Sequence, residues 1–181
     1  TYAVELLLSE TNAKASTRAK AIDTFNEDRK ALDREITEQA LAQIEERGQT
    51  NQASTVVYDP DWHKGVIGIV ASRLIETHYK PTVVFTRSGD VLTASARSVR
   101  GFDLYAALSA CQAHMIQFGG HKYAAGLTIR PEQYNGFCQR FEEVVTNRIQ
   151  PERQVRTLRI DMEIPIEEIT PKFYRIINQM A

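Results

Sequence analysis

The sequence lacks any apolar run approaching the ~20 residues that a bilayer-crossing helix needs, and its first residues show no charged-then-apolar leader. The expectation is a globular cytoplasmic protein with no membrane partner. Cysteine is scarce, with Cys111 and Cys138 in helix-like contexts and no C-x-x-C spacing. A zinc ribbon or disulfide framework therefore has nothing to build on, and both thiols read as reduced core residues. Internal repeats and low-complexity runs are missing. So are a credible Ser-His-Asp set, a clustered carboxylate pair and any adjacent Asp-His pair, which leaves hydrolytic chemistry without an obvious carrier in these residues.

An excess of charge of one sign is also missing, the net charge being -1. That excludes a protein coating nucleic acid by bulk attraction, but a total conceals where charge lies. Residues 1–53 carry 7 basic and 10 acidic side chains, residues 54–130 carry 8 and 5, and residues 131–181 carry 7 and 8. The middle alone is basic.

With 181 residues, 43% of them hydrophobic, the chain can bury one ordinary core and part of a second. From Asn12 to Arg47 there is neither Pro nor Gly, and Ile22, Phe25, Leu32, Ile36, Ala40 and Ile44 fall close to helical spacing before Gly48 ends the run. A helix of about 34 residues spans roughly 50 Å, too long to lie wholly against one small core. It reads as a strut between two bodies, with Val4, Leu7 and Leu8 as the tail of the first. The opening at Thr1 and the stop at Ala181 inside an apolar helical pattern fit an excised piece.

After the polar linker Gln49–Ser54, strand and helix signals alternate. Thr55–Tyr58 is a short β-branched run, and Gly65–His78 places Val66, Ile69, Val70 and Leu74 on one helical face. Thr82–Thr86 and Val91–Ala96 read as strands joined through Ser88-Gly89-Asp90, a hairpin signal. Leu104–Met115 reads as a helix, Leu127–Ile129 as a strand and Glu132–Arg148 as a third helix. The expected fold class is therefore α/β: a mixed-sheet domain with flanking helices over 54–149, preceded by a long connecting helix in 1–53. Val155, Leu158, Ile160, Met162 and Ile164 approach alternation, so 150–181 reads as the opening of a further β domain with a helical tail from Thr170.

Three stretches could carry chemistry. In Phe118-Gly119-Gly120-His121-Lys122-Tyr123-Ala124-Ala125-Gly126, glycines allow close approach of a ligand to main-chain N–H groups. His121 and Lys122 add a donor and a positive charge, while Ala124, Ala125 and Gly126 keep the next wall free of bulk. The composition suits a phosphate; a helix cap followed by a packed turn is the plainer alternative. In Ala94-Ser95-Ala96-Arg97-Ser98-Val99-Arg100-Gly101, an arginine fork, the flanking hydroxyls of Ser95 and Ser98 and a following helix N-terminus are equipment for gripping phosphodiester oxygens. Arg97, in small-residue company, fits that role better than Arg100, which also reads as a solvated surface charge. In Asp59-Pro60-Asp61-Trp62-His63-Lys64-Gly65, alternate Asp59, Asp61 and His63 resemble metal ligands. A loop with Pro seldom aims three side chains at one point, and Asp before a helix is commonly a cap, so no metal site is assigned. Trp62 could stack on a base or anchor the core.

These residues resemble the RecJ family of single-stranded-DNA-specific exonucleases, in the DHH phosphoesterase superfamily. Trp62-His63-Lys64-Gly65-Val66-Ile67-Gly68-Ile69-Val70-Ala71-Ser72-Arg73-Leu74 is similar to the signature that opens the family's DHH-associated domain. Ser95-Ala96-Arg97-Ser98, Gly101-Phe102-Asp103-Leu104 and Gly119-Gly120-His121-Lys122-Tyr123-Ala124-Ala125-Gly126 are similar to its later motifs, in order and with fitting spacing. The connecting helix fits more loosely, and Val155–Ala181 fits the start of an OB-like domain weakly. The resemblance implies the substrate-binding part of an enzyme that hydrolyses phosphodiester bonds from the 5′ end of single-stranded DNA in repair and recombination. Catalysis there uses two Mn²⁺ or Mg²⁺ ions held by a DHH domain preceding this segment in the same chain; no cofactor is expected within these residues. His121 is then the catalytic-site contact to the phosphate, and Ser95, Trp62, Arg97, Ser98, Arg100, Gly119, Gly120, Lys122, Ala124, Ala125 and Gly126 are the nucleic-acid-binding candidates. Two other readings remain open: a related DHH-family phosphodiesterase acting on oligoribonucleotides or cyclic dinucleotides, and a structural or partner-docking module in which the glycine motif is packing.

Overall fold

A computed structural model describes residues 2–150 and 160–180. Helix α1 (Tyr2–Leu7) leads into α2 (Asn12–Glu46), whose N-terminus is capped by the Thr11 hydroxyl accepting from the Lys14 amide. Then follow β1 (Thr55–Tyr58), α3 (Ile67–His78), β2 (Thr82–Ser88), β3 (Val91–Arg97), α4 (Leu104–Ser109), β4 (Gln117–Gly120), β5 (Ala124–Ile129), α5 (Tyr134–Arg148) and α6 (Pro171–Met180). The five strands form one mixed sheet in the order β1-β2-β3-β5-β4. Parallel strands need a crossover, and α3 supplies it between β1 and β2. The remaining pairings are antiparallel.

Alternation along the strands divides the core into two layers. Val56, Val83, Phe85, Leu92, Ala94, Ala96, Ala125, Leu127 and Ile129 point to one face, where Leu104 and Leu108 of α4 and Phe137 and Phe141 of α5 cover them. Phe85 meets Phe137 edge-on, with ring centroids 5.3 Å apart. Val57 and Val84 point to the other face, under Ile67, Val70, Ala71 and Leu74 of α3 and Ile36, Ala40 and Ile44 of α2. This second cover reaches β1, β2 and β3 but leaves the Gly119 and Gly126 positions of β4 and β5 exposed. The two cysteines belong to the first layer, and burial pushes both thiols up to about 11. Thiols so rarely ionised are poor nucleophiles near neutral pH.

The long helix docks by its C-terminal half alone. Ile36, Ala40 and Ile44 are buried, whereas Phe25 is 55% exposed and touches Tyr2. Asp33, 3% exposed, takes the Arg73 side chain of α3 through both carboxylate oxygens at 2.9 and 2.7 Å. Two glutamines then close the outer edge of β1. Gln43 exchanges hydrogen bonds with the amide and carbonyl of Tyr58, and Gln49 does the same with Val56. Side-chain amides thus stand where another strand would pair, which protects an otherwise sticky edge. At the start of β1, Glu142 of α5 accepts from the amides of Ala53 and Ser54.

Several sequence expectations change. The segment Gln117–Gly120, to which the sequence pattern assigns no strand, is the edge strand β4. The helix expected to run to Met115 stops at Ser109, with a short 3-10 turn at Gln112–His114. The strand expected at Leu127 begins three residues earlier. Of the β segment expected after Pro151, residues 151–159, including Val155 and Leu158, lie outside the described residues. Residues 160–165 carry no strand, and the helical tail is α6.

Replacing Ile36 by Ala should lower unfolding free energy by about 2 to 4 kcal/mol in urea denaturation, because it empties a filled core position. Phe25→Ala in the same helix should change this chain's stability by no more than about 0.5 kcal/mol.

Candidate nucleic-acid interface

The open part of the sheet is built from three cross-strand rows. In the first, Gln117 pairs with Thr128 and Thr128 with Thr93; in the second, Gly119 pairs with Gly126 and Gly126 with Ser95. The third pairs Ala124 with Arg97 and borders the His121 turn, where the His121 amide donates to the Ala124 carbonyl at 2.7 Å. Residues two apart on a strand share a face. One face therefore collects Thr93, Ser95 and Arg97 of β3, Ala124, Gly126 and Thr128 of β5, and Gln117 and Gly119 of β4. Lys64, Thr93, Gln117, Phe118, Gly119, Gly126 and Thr128 are among the residues lining a groove of about 420 Å³ there.

The arginine turn and the histidine turn are tied together. The Ser98 amide donates to the Tyr123 carbonyl at 3.0 Å, and the Leu104 amide to the Lys122 carbonyl at 3.0 Å. His121, Lys122 and Tyr123 are exposed at this end, with the Lys122 ammonium 5.7 Å from the centre of the Tyr123 ring. Arg97 is half-buried, and its Nη1 donates to the Ala96 carbonyl at 2.9 Å. Among the described residues it has no carboxylate partner. A guanidinium partly withdrawn from water without a counter-charge is poised for an anion. The first turn of α3 lies against it: a Cβ on Gly68 would sit 3.1 Å from Arg97 Nη2 and 3.4 Å from Ser95 Oγ. The N-cap residue of that helix, Val66, gives no side-chain cap, and the Val66 and Ile69 amides donate to the His63 and Val66 carbonyls.

Glycines in the motif divide by physical cause. Gly120 has φ +148°, and a Cβ there would overlap the Ala124 carbonyl oxygen and lie 2.5 Å from the Ala125 Cα. The fold requires it. Gly119 has nothing within 4 Å of a built Cβ, and Gly126 meets only the Ala94 carbonyl oxygen at 3.8 Å. These two have room for a side chain and present bare backbone instead.

Some expected site residues fall elsewhere. Trp62 is 5% exposed in the core between α2 and α3, its indole N–H donating to Gln39 Oε1 at 2.7 Å, so no ring face is free to stack on a base. The Ala125 methyl points into the opposite core layer, as strand alternation demands, and lines no groove. The Ser98 hydroxyl closes its own turn on the Phe102 carbonyl at 3.2 Å; Ser95 is the serine that shares a face with Arg97. The helix following the arginine motif, α4, has its N-terminus occupied by Asp103, which accepts from the Ala106 amide at 2.9 Å. The helix N-terminus at the site belongs to α3. Arg100 is exposed on the turn. Asp59 accepts from the Asp61 amide, and the His63 ring from the Gly65 amide. Among the described residues no group of three His, Cys, Asp or Glu side chains is placed to hold a metal ion. Reasoning from sequence missed Lys64, Gln117, Thr93 and Thr128. The period-two patterns Thr93-Ala94-Ser95-Ala96-Arg97 and Gln117-Phe118-Gly119 were the signal available.

Fold and groove together define an α/β domain that presents one open, polar face of a mixed sheet. The family model of the DHHA1 domain matches residues 49–147, and the chain belongs to that family. It is 33% identical to the single-stranded-DNA-specific exonuclease RecJ of Bacillus subtilis over 181 residues, covering 99% of this chain and 23% of that protein. It is 35% identical to RecJ of Escherichia coli over 156 residues, covering 82% and 27%. The crystal structure of Thermus thermophilus RecJ in complex with Mn²⁺ superposes with a TM-score of 0.84 at 25% identity, covering 99% of this chain and 26% of that one. The chain spans about a quarter of the length of the curated relatives it matches. No helix among the described residues is long and apolar enough to cross a membrane.

Gly120→Ala should cost about 2 kcal/mol or more and lower the thermal midpoint by several degrees, because it forces both backbone strain and overlap. Gly119→Ala and Gly126→Ala should leave the midpoint nearly unchanged, which thermal melts followed by circular dichroism will show.

Proposed function

We propose that this chain is the nucleic-acid-holding portion of a metal-dependent 5′→3′ single-stranded-DNA exonuclease acting in repair and recombination in the cytoplasm. The observation that carries the reading is Arg97: a half-buried guanidinium with no carboxylate partner among the described residues, flanked by Ser95, the start of α3 and the exposed His121 turn. A phosphodiester supplies the missing negative charge. The similarity to RecJ proteins supports the same substrate.

In this reading Arg97 and Ser95 hold one DNA phosphate, and His121 meets the phosphate that reacts or its neighbour. A donor fixed in place before charge develops on the phosphate oxygens stabilises the transition state without reorganisation. The described residues do not fit a metal centre, so the Mn²⁺ or Mg²⁺ ions belong to the DHH domain that the family places in the same chain. The contacts assigned to Arg97, Ser95 and His121 are to phosphate oxygens, which carry no sequence information, so recognition at this end is independent of sequence.

The 181 residues alone should show no Mn²⁺-dependent degradation of single-stranded DNA. In the intact enzyme, His121→Ala should lower kcat by about 10²-fold, the scale for removing one transition-state donor. Arg97→Ala should weaken binding of a 5′-labelled oligonucleotide and flatten its salt dependence in fluorescence anisotropy. Unchanged kcat in the first variant and unchanged anisotropy in the second would remove both residues from the site.

A further inference from the structure

We infer that the groove beyond the arginine-histidine end is a separate subsite for the sugar-phosphate backbone further along the same strand, with Lys64 as its cation. This rests on the phosphate reading of Arg97 and His121 and extends it to residues which that reading leaves without a role.

Three observations converge on it. First, the exposed rows are ordered by chemistry. The glycine row, Gly119 and Gly126, separates the Arg97 row from a row of donors and acceptors, Gln117, Thr128 and Thr93. Ala124 and Thr128 are four residues apart on β5, so the two polar rows lie about 13 Å apart at about 3.3 Å per residue. A single phosphate cannot touch both, whereas an oligonucleotide crossing the bare glycine floor can.

Second, the lining chemistry selects a polyanion. The residues that line the groove include Lys64, two threonines and Gln117, and no acidic residue. Lys64 is exposed and has no ion-pair partner among the described residues. It arrives from the loop ahead of α3, the same helix whose first turn lies against Arg97. The loop and first turn of α3 thus place Lys64 at one polar row and pack against Arg97, which β3 carries, at the other.

Third, the glycines of the middle row have space for side chains that they lack. The fold gives no reason for their bareness, but a backbone passing close to the sheet does. Threonine hydroxyls, an amide and an ammonium are groups that contact phosphate and sugar oxygens.

The test compares two ligands in the full-length protein, with divalent ions chelated so that nothing is cleaved. A 5′-phosphorylated dinucleotide of thymidine occupies the Arg97 and His121 end alone, while a 5′-phosphorylated twelve-nucleotide oligo(dT) reaches both rows. The double variant Lys64→Met, Gln117→Ala should raise Kd for the longer ligand about tenfold and reduce its salt slope by about one. It should leave the dinucleotide unaffected, and Lys64→Arg should bind the longer ligand like the native protein. Unchanged affinity for the longer ligand in the double variant overturns the proposal, as does an equal loss for both ligands. Arg97→Ala should weaken both; if it weakens neither, the phosphate reading of that end fails, a result distinct from failure of the Lys64 subsite. Both altered side chains are exposed, so the variants retain the native melting temperature, and a large drop in it overturns the assignment of Lys64 and Gln117 to a free surface.

Discussion

The antiparallel pairing of β3 with β5 decides what the rest of this molecule can do. Their register, from Leu92 opposite Ile129 to Arg97 opposite Ala124, assigns every second side chain to the core and the others to the open face. A slip of one residue would send Arg97 and Ser95 into the layer now filled by Ala96, Ala125 and Leu127. Burial of Leu92, Ala94, Ala96, Leu127 and Ile129 against α4 and α5 therefore fixes the orientation of the polar row. The open polar face is set by the apolar face behind it.

The two edges of the sheet are treated differently, and the contrast belongs to the same design. At β1, Gln43 and Gln49 take up the outward amides and carbonyls, and the docked half of α2 seals the layer above. At the other end, β4 is short and glycine-rich, and its open face is covered by no helix among the described residues. Stability is concentrated where α2, α3 and α5 meet the first strands. Access is left where β5 and β4 run out from under α3. The sheet is therefore closed at one side and bare at the other.

Much of this order could be read in the chain itself. The lengths of α2 and α5, the β1-α3-β2 sequence and the β2-β3 hairpin all follow from periodicity and from Gly89, whose φ of +63° suits glycine at the turn. Short elements were harder. Gln117–Gly120 contains two glycines and a single large apolar residue, so no local pattern distinguishes an edge strand from a loop. The premature end of α4 is set by docking of the 3-10 turn against α5, information that Ala110-Cys111-Gln112 does not carry. Trp62 shows the opposite failure. Its neighbours are polar and its ring looks available, but Gln39, twenty-three positions earlier on the long helix, draws it inward.

The sequence by itself determined which residue types could grip a phosphate, because a glycine pair, an arginine between serines and a histidine-lysine step keep their chemistry in any context. It also pointed to the family, through motifs in a fixed order. Tertiary structure alone decided which of those residues share a face. It set Ser95 beside Arg97 and turned Ser98 into its own turn, and it put the start of α3 at the arginine in place of the capped start of α4. It also separated Gly120, held by steric need, from Gly119 and Gly126, which have room to spare. The physical reason is that strand register and helix docking are long-range. They depend on which apolar surfaces find each other across the chain, and a local stretch of residues contains no record of its partners.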